Sequence, residues 1–446
     1  MEQTFTFRTG RAPRALPLVG HALALRLRPL AFLSSLPAAG DLVTIRLGPQ
    51  KAFVATHPEL VRQLLNESRT FDKGGPLFDK LRELLGNGLA SSAYEPHRRQ
   101  RRLVQPAFRP DRLPGYAGVM AEEIGAVTAS WRDGAELDVH AAMYGLTTRI
   151  AARTMFAARD AEEAVAEVST ALPAILDVVF KRMTTPLGPF ERLRVADNRC
   201  YDEAVASMRR VAQRLIDEYR SDGADHGDLL SMLLAARDDD GAGLSDEELL
   251  EHVVAVLGAG ADTTAATLSW ALHLVATHPD VEERLHAEVD AAVAGPIAGW
   301  SNLPALPLTA RIVRETLRLH PPGWLFTRLA TADAELGGQA IPRGSIVLWS
   351  PYVLHRRPDL FAQPGRFDPD RGLGEDGPAV RGAHLPFGGG ARKCIGKDFG
   401  SVEVALALAS IARSWRLEPL PGSCVRPVAH ISLHPHPLRM RLRARS

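Results

Sequence analysis

The sequence predicts a mainly α-helical fold carrying small β-sheets, an α+β arrangement. Three observations lead there. Most of the chain repeats apolar residues at helical spacing between proline and glycine breaks. One such stretch opens on Ser245-Asp246-Glu247-Glu248, a capping box in which Ser245 accepts from the N–H of Glu248 while the Glu248 carboxylate reaches back. The β-rich runs are short and gather in two patches and at the C-terminus.

The elements follow in order. Arg8, Arg11 and Arg14 precede an apolar stretch from Ala15 to Leu25 that superficially resembles a signal peptide. Pro17, Gly20 and His21 interrupt it, Arg26 and Arg28 follow at once, and it is too short to span a bilayer. Neither secretion nor a membrane span is expected, and residues 1–14 are expected to be flexible. Leu42 to Leu47 and Lys51 to Ala55 read as a hairpin around Gly48-Pro49-Gln50, with a helix starting near Pro58. Ala164 to Met183 and Ala196 to Arg220 read as two helices joined by residues 184–189, a connection suited to a lid hinge. The capped helix runs to about Thr277, where His278-Pro279 stops it; about 30 residues give roughly 45 Å, enough to cross a domain. A second β patch runs from Arg328 through Ile346-Val347-Leu348, and Leu438 to Arg443 alternates with period two, a strand with a solvated arginine face.

Composition excludes more than it assigns. The chain has 446 residues, 46% of them hydrophobic, enough for a large core, and 53 basic against 52 acidic residues leave a net charge of +1. Nothing global points to nucleic acid or an acidic substrate. Cys200, Cys394 and Cys424 are too few and scattered for a disulfide framework, and no Cys-x-x-Cys or His-Glu-x-x-His site is present, so a reducing, cytoplasmic setting is expected. Asp238-Asp239-Asp240 reads as a loop, since Ala242 stands where an Asp-Asp-x-x-Asp magnesium pattern needs its last acid.

Cys394 is the most informative residue. It lies in Phe387-Gly388-Gly389-Gly390-Ala391-Arg392-Lys393-Cys394-Ile395-Gly396. Glycines let backbone approach a flat partner, neighbouring N–H groups can bond sulfur, and Arg392 adds positive charge, all favouring a thiolate able to bind a metal. Inside the long helix, Ala259-Gly260-Ala261-Asp262-Thr263-Thr264 puts small and polar residues mid-helix. One reading is close helix packing with Thr263 bonding back to the Ala259 carbonyl. Glu315 and Arg318 share one helix face, three residues apart.

The spacing Phe-x-x-Gly-x-Arg-x-Cys-x-Gly resembles the haem-binding signature of the cytochrome P450 monooxygenases. With the long-helix segment, Glu315-x-x-Arg318 and His97-x-x-x-Arg101, the likeness runs in order from about Ala15 to the C-terminus. The resemblance implies a prism-like helical fold, one catalytic unit over residues 1–446, and haem b between the long helix and the cysteine loop. Cys394 is then the axial iron ligand, in a loop shaped by Phe387 and Gly396, whose sulfur pushes electron density onto iron. It also implies a local opening of the long helix for dioxygen at Ala259, with Asp262 and Thr263 managing protons. His97, Arg101, Arg328 and Arg392 are implied propionate partners. Glu315, Arg318 and Arg371 are implied to form a buried structural trio, although Gly372 stands where the family usually carries an aromatic residue.

Positions transferred from the family put Phe78, Leu81, Leu85, Ile175, Val179, Ala259, Leu325, Phe326 and Ile431 around the substrate. They are predominantly apolar, which favours a lipophilic, weakly polar molecule. Leu16-Pro17-Leu18-Val19-Gly20-His21 and the arginine-rich segment His97 to Phe108 are similar to bacterial terpene oxygenases, so oxidation of a sesquiterpene-like compound is expected. With no dinucleotide fingerprint and no iron–sulfur cysteine set, electrons from NAD(P)H are expected through an external ferredoxin and its reductase. That ferredoxin is expected to dock near Lys393, Lys397, Arg98, Arg99 and Arg102 of a monomeric enzyme. Rival readings are a haem-thiolate peroxygenase or oxidase acting on a fatty acid or polyketide, a non-catalytic haem sensor, and a cysteine-nucleophile hydrolase.

Overall fold

The structure is a computed structural model that describes residues 6–155, 166–168, 170–172, 174–175, 178, 195–223, 225–373 and 382–445. Its central element is the 31-residue helix Asp246–Ala276. The capping box forms: Glu248 N–H donates to Ser245 Oγ at 3.2 Å and Ser245 N–H to Glu248 Oε2 at 2.9 Å. Two donors at the helix start thereby gain partners. At the other end Thr277 caps the helix, and Pro279 opens the next one, Pro279–Ala292.

This helix passes from one apolar cluster into another. Leu249, Val253, Leu257 and Ala261 belong to a cluster with Met208, Val211 and Leu215 of helix Val195–Asp222. Ala265, Leu268 and Leu272 belong to a second, with Ile150 of Val139–Met155, Ile312 of Pro307–Leu319 and Leu406 of Lys397–Ser414. Asp262 and Thr263 lie at the seam, where apolar packing is handed from one cluster to the other.

The largest sheet has six strands, in the order Thr9–Arg11, Leu42–Leu47, Gln50–Ala55, Ile346–Trp349, Phe326–Ala330 and Phe71–Asp72. The expected hairpin is its centre, with Leu47 opposite Gln50 and Gly48 at φ 62° in the turn. Thr9–Arg11, inside the stretch expected to be flexible, is instead a strand paired with Leu42–Thr44, because its backbone completes that sheet edge. The C-terminal strand Arg439–Ala444 pairs antiparallel with Trp415–Pro419 and Glu136–Asp138. Its arginines face solvent and pair with acids: Arg439 and Arg441 with Glu136, Arg443 with Glu418.

Residues 166–168, 170–172 and 174–175 are helical. Residue 178 is helical too, while Val179, the joint at 184–189 and the other residues of that expected helix lie outside the described residues. Among the described residues no helix is long and apolar enough to cross a membrane.

Glu315, Arg318 and Arg371 meet in the core. Arg318 Nε and Nη2 each donate to Glu315 at 2.7 Å, and the remaining guanidinium N–H groups reach the carbonyls of His355, Pro364 and Arg366. Arg371 Nε adds a bond to Glu315 Oε1 at 3.2 Å. Gly372 sits at φ 71°, and among the described residues no side chain packs where an aromatic residue was expected.

Candidate active site

The cysteine loop is built by close backbone approach. Gly388 and Gly390 sit at φ 68° and 61°, and a Cβ on Gly390 would lie 2.2 Å from the Leu65 carbonyl oxygen, so only glycine fits there. Cys394 N–H donates to the Phe387 carbonyl at 2.9 Å, closing the loop. The Cys394 thiol is accessible. Desolvation by the surrounding chain pushes its pKa up, against the Gly396 N–H and the charges of Arg101 and Lys73. The helix after the loop, Lys397–Ser414, packs on the central helix at Gly400, whose Cβ would lie 3.7 Å from Thr264 Oγ1. Cysteine loop and Thr263 are thus carried by adjoining helices.

Cations converge beside this loop. His97 and Arg101 lie one turn apart on Tyr94–Val104; Arg101 Nη1 donates to the Lys393 carbonyl at 2.7 Å. Arg328 is buried on strand Phe326–Ala330, with its Nη1 on the Thr327 carbonyl. Arg392 is already engaged: it donates to Asp72 at 2.5 Å and to the Ser92 carbonyl at 2.8 Å, while its Nε has no partner among the described residues. Lys73, which the sequence reading missed, joins them, its Nζ 2.6 Å from the Ala90 carbonyl. A lone lysine after Phe71-Asp72 gave no signal; only the pairing of Phe71–Asp72 with strand Phe326–Ala330 brings it beside Arg328.

One carboxylate, Asp72, faces this group. Burial and then Arg392 push the pKa of Arg328 down to about 10. Burial, Arg328 and Arg392 push Lys73 well down, and burial with Arg392, Lys73, Arg101 and Arg328 takes His97 down to about 3. The cluster is short of negative charge.

On the central helix, Ala259 and Thr263 are exposed while Ala261, Asp262 and Thr264 are buried. Accessible residues one turn apart in the middle of a core helix line an internal opening. The helix is continuous here, where a local opening of its backbone was expected: Thr263 Oγ1 donates to the Ala259 carbonyl at 2.7 Å. Asp262 is raised to about 6 by burial, opposed by Ser432, and its Oδ2 has no hydrogen-bond partner among the described residues. Tyr144, on the helix that packs alongside, has a hydroxyl with no hydrogen-bond partner among the described residues, and its pKa is raised by burial and by Asp262. Thr147 on that helix donates to the Ala261 carbonyl at 2.8 Å, fixing the register. Behind Thr264, burial holds the Glu403 carboxyl well above its usual range.

The expected pocket residues divide. Phe78 is buried. Ile175 is buried in one cluster with Leu257 and Ala261, and Leu81 and Ile431 pack against it. Phe326 stacks on Trp349 at 4.8 Å within the sheet, and Leu325 packs on the cluster of Trp324 and Leu348. The side chain of Leu85 lies outside the description. On the face expected to receive a ferredoxin, Arg99 is held by Asp238 at 2.7 Å and Glu248 at 2.9 Å, and Arg102 pairs with Asp239. The aspartate run thus anchors the arginine-rich helix, and Arg99 has little charge left to offer a partner.

The chain matches the cytochrome P450 family model over residues 11–442. It belongs to that family. It is similar to cyclooctatin synthase of Streptomyces melanosporofaciens, with 48% identity covering 96% of this chain and 94% of the relative. Cyclooctat-9-en-7-ol 5-monooxygenase of the same organism is also 48% identical, covering 93% and 91%. Pentalenene oxygenase of Streptomyces avermitilis is 44% identical, covering 99% and 98%. The crystal structure of a cytochrome P450DA heme domain superposes with a TM-score of 0.88 at 28% identity, covering 99% of each chain. This P450 is a monooxygenase, an oxidoreductase.

The family implies haem iron with a cysteine thiolate ligand, and the residues present fit it. Cys394 is exposed, the four cations Lys73, Arg101, Arg328 and Arg392 share one neighbouring carboxylate, Asp72, which Arg392 already engages, and Ala259 and Thr263 leave room against a buried helix.

Proposed function

We propose that this P450 oxidises a cyclic terpene, a hydrocarbon or an alcohol derived from one, by dioxygen-dependent monooxygenation. The observation that carries the substrate reading is near full-length similarity to relatives named for pentalenene and cyclooctat-9-en-7-ol. The apolar side chains Phe78, Leu81, Ile175 and Ile431 support it, since they offer no charged clamp.

Cys394 would hold the iron, and haem, when bound, supplies the oxygen-activating chemistry. His97, Arg101, Arg328 and Arg392, joined by Lys73, would hold the propionates; neutral His97 donates a hydrogen bond and the others supply charge. Asp262, whose carboxyl burial raises to about 6, is suited to pass protons inward, and Thr263 to hold one at its Oγ1. Electrons from NAD(P)H would reach the enzyme through a ferredoxin and its reductase, with Lys393 and Arg98 as contacts on a single-unit monomer.

Reconstituted turnover with pentalenene-like hydrocarbons and their alcohols, followed by mass spectrometry, tests the reading. A type-I spectral shift and a product one oxygen heavier are expected. Tight binding of fatty acids or polyketides with no response to any terpene would overturn the substrate class. Cys394→Ser removes the strongly red-shifted Soret band of the reduced CO complex if the ligand assignment is right.

A further inference from the structure

The strongly exposed large apolar side chains of the described residues gather in one place. All but Trp300 lie between residues 16 and 27: Leu16, Leu18, Val19, Leu23 and Leu27. Leu18 is 92% exposed and Leu27 66%. Around them Arg11, Arg14, Arg26 and Arg28 are exposed, and the sequence has no acidic residue between Glu2 and Asp41. This is the stretch whose signal-like pattern the catalytic site leaves unused.

The tip is held rigidly. Leu16 and Gly20 exchange backbone hydrogen bonds at 2.9 and 3.0 Å, closing a turn with Leu18 at its apex. Arg46 N–H donates to His21 Nδ1 at 3.0 Å, which leaves Nε2–H to donate to the Pro13 carbonyl at 3.2 Å. His21 therefore ties the residue after the turn both to the sheet, at Arg46, and to the segment before the turn, at Pro13. Among the described residues three non-glycines adopt positive φ, and two are here: Arg14 and Leu18, both at 63°. A leucine in the left-handed region is strained where glycine or asparagine would not be. Holding it there, fully exposed, calls for something that uses an apolar apex.

We propose that this tip seats the enzyme on an anionic lipid surface. Leu18, with Leu16, Val19, Leu23 and Leu27, dips between headgroups while Arg11, Arg14, Arg26 and Arg28 pair with lipid phosphates. Leu23 and Leu27 are one turn apart on helix Ala22–Leu27 and share a face. Apolar insertion with basic flanks is what reversible interfacial binding requires. The segment is too short to span, so the enzyme rests on the surface. An acidic protein would engage the arginines but has no use for a protruding leucine. The proposal stands on this surface alone and is independent of the substrate reading.

Sedimentation of the full-length holoenzyme with phosphatidylcholine vesicles, with or without phosphatidylglycerol, tests it. About tenfold stronger partition onto the anionic vesicles is expected, weakening as salt rises. Leu18→Asp with Leu27→Asp, and separately Arg14→Glu with Arg26→Glu, should each reduce that partition about tenfold. The reduced CO spectrum should be unchanged in both, showing intact folding. No preference for anionic vesicles, or full retention in the leucine variant, overturns the proposal. Slower reduction by ferredoxin in the arginine variant with no vesicle binding by the wild type assigns the surface to a protein and also overturns it.

Discussion

Arg318 and His355 hydrogen-bond each other twice. Arg318 Nη1 donates to the His355 carbonyl at 2.8 Å, and the His355 ring nitrogen Nδ1 lies 3.1 Å from the Arg318 carbonyl. Leu385 N–H donates to His355 Nε2 at 2.9 Å, so Nε2 is the acceptor and Nδ1 carries the proton. Both side chains are fully buried. Leu385 lies two residues before Phe387, whose carbonyl takes the Cys394 N–H. The Glu315–Arg318 pair is therefore joined to the cysteine loop through one imidazole.

Replacing that imidazole tests the joint. His355→Phe leaves the Leu385 N–H and the Arg318 carbonyl buried without partners, each costing about 1–3 kcal/mol. Unfolding free energy is expected to fall by about 2–5 kcal/mol in denaturant titration, with faster amide exchange at Leu385 and Cys394. Exchange unchanged at both amides would show that the loop is held by other contacts.

Acid sensitivity follows from the same residue. Burial, then His384, hold the His355 pKa well below its ordinary value, so the native state keeps it neutral while the unfolded chain takes up a proton below about pH 6.5. The unfolded state binds more protons in that range, and stability falls as pH drops below about 6.5. His97 and His320 are lowered too and add to the slope. His355→Gln should flatten the dependence of Tm on pH between about 6.5 and 5.

The sequence made some of this legible. Ser245 and Glu248 announce the central helix because capping chemistry is local, and Gly48-Pro49 announces the hairpin for the same reason. Glu315 and Arg318 lie three residues apart, so their pairing follows from helix geometry. His355 lies 37 residues beyond Arg318 and bonds through backbone atoms of any residue type, which leaves no pattern to read. Lys73 and Tyr144 are hidden likewise: each becomes relevant through a neighbour placed by tertiary packing, Arg328 for one and Asp262 for the other. The ion pairs of Arg99 with Asp238 and Glu248 were not legible, because an arginine-rich helix looks alike whether it faces a partner or is tied down.

Lys73 separates folding from cofactor retention. Burial desolvates its charge, and Arg328 and Arg392 repel it more than Asp72 attracts it. Lys73→Met removes that repulsion at the loss of one hydrogen bond to Ala90, worth about 0.5–1.5 kcal/mol. The apoprotein is expected to unfold at an equal or higher denaturant concentration, while haem transfer to apomyoglobin becomes several-fold faster. Equal loss of stability with and without haem would assign Lys73 to packing.

Asp262 gives the opposite dissociation of stability from function. Its carboxyl is raised to about 6 by burial, so between about pH 4 and pH 6 the native state keeps a proton that the unfolded chain releases. The native state binds more protons there, so stability declines as pH rises through this window, and above it the fold carries a buried charge. A shift of about two units corresponds to at most about 3 kcal/mol. Asp262→Asn carries no charge to desolvate, so its Tm should exceed that of the wild type at pH 8 and match it near pH 4. If Asp262 also passes protons inward, the same variant turns over more slowly and diverts NAD(P)H electrons to peroxide, although it is the more stable protein. An Asn variant no more stable at pH 8 would refute the buried-charge account, and one that is stable yet fully coupled would leave Asp262 a packing residue at the seam of the two clusters.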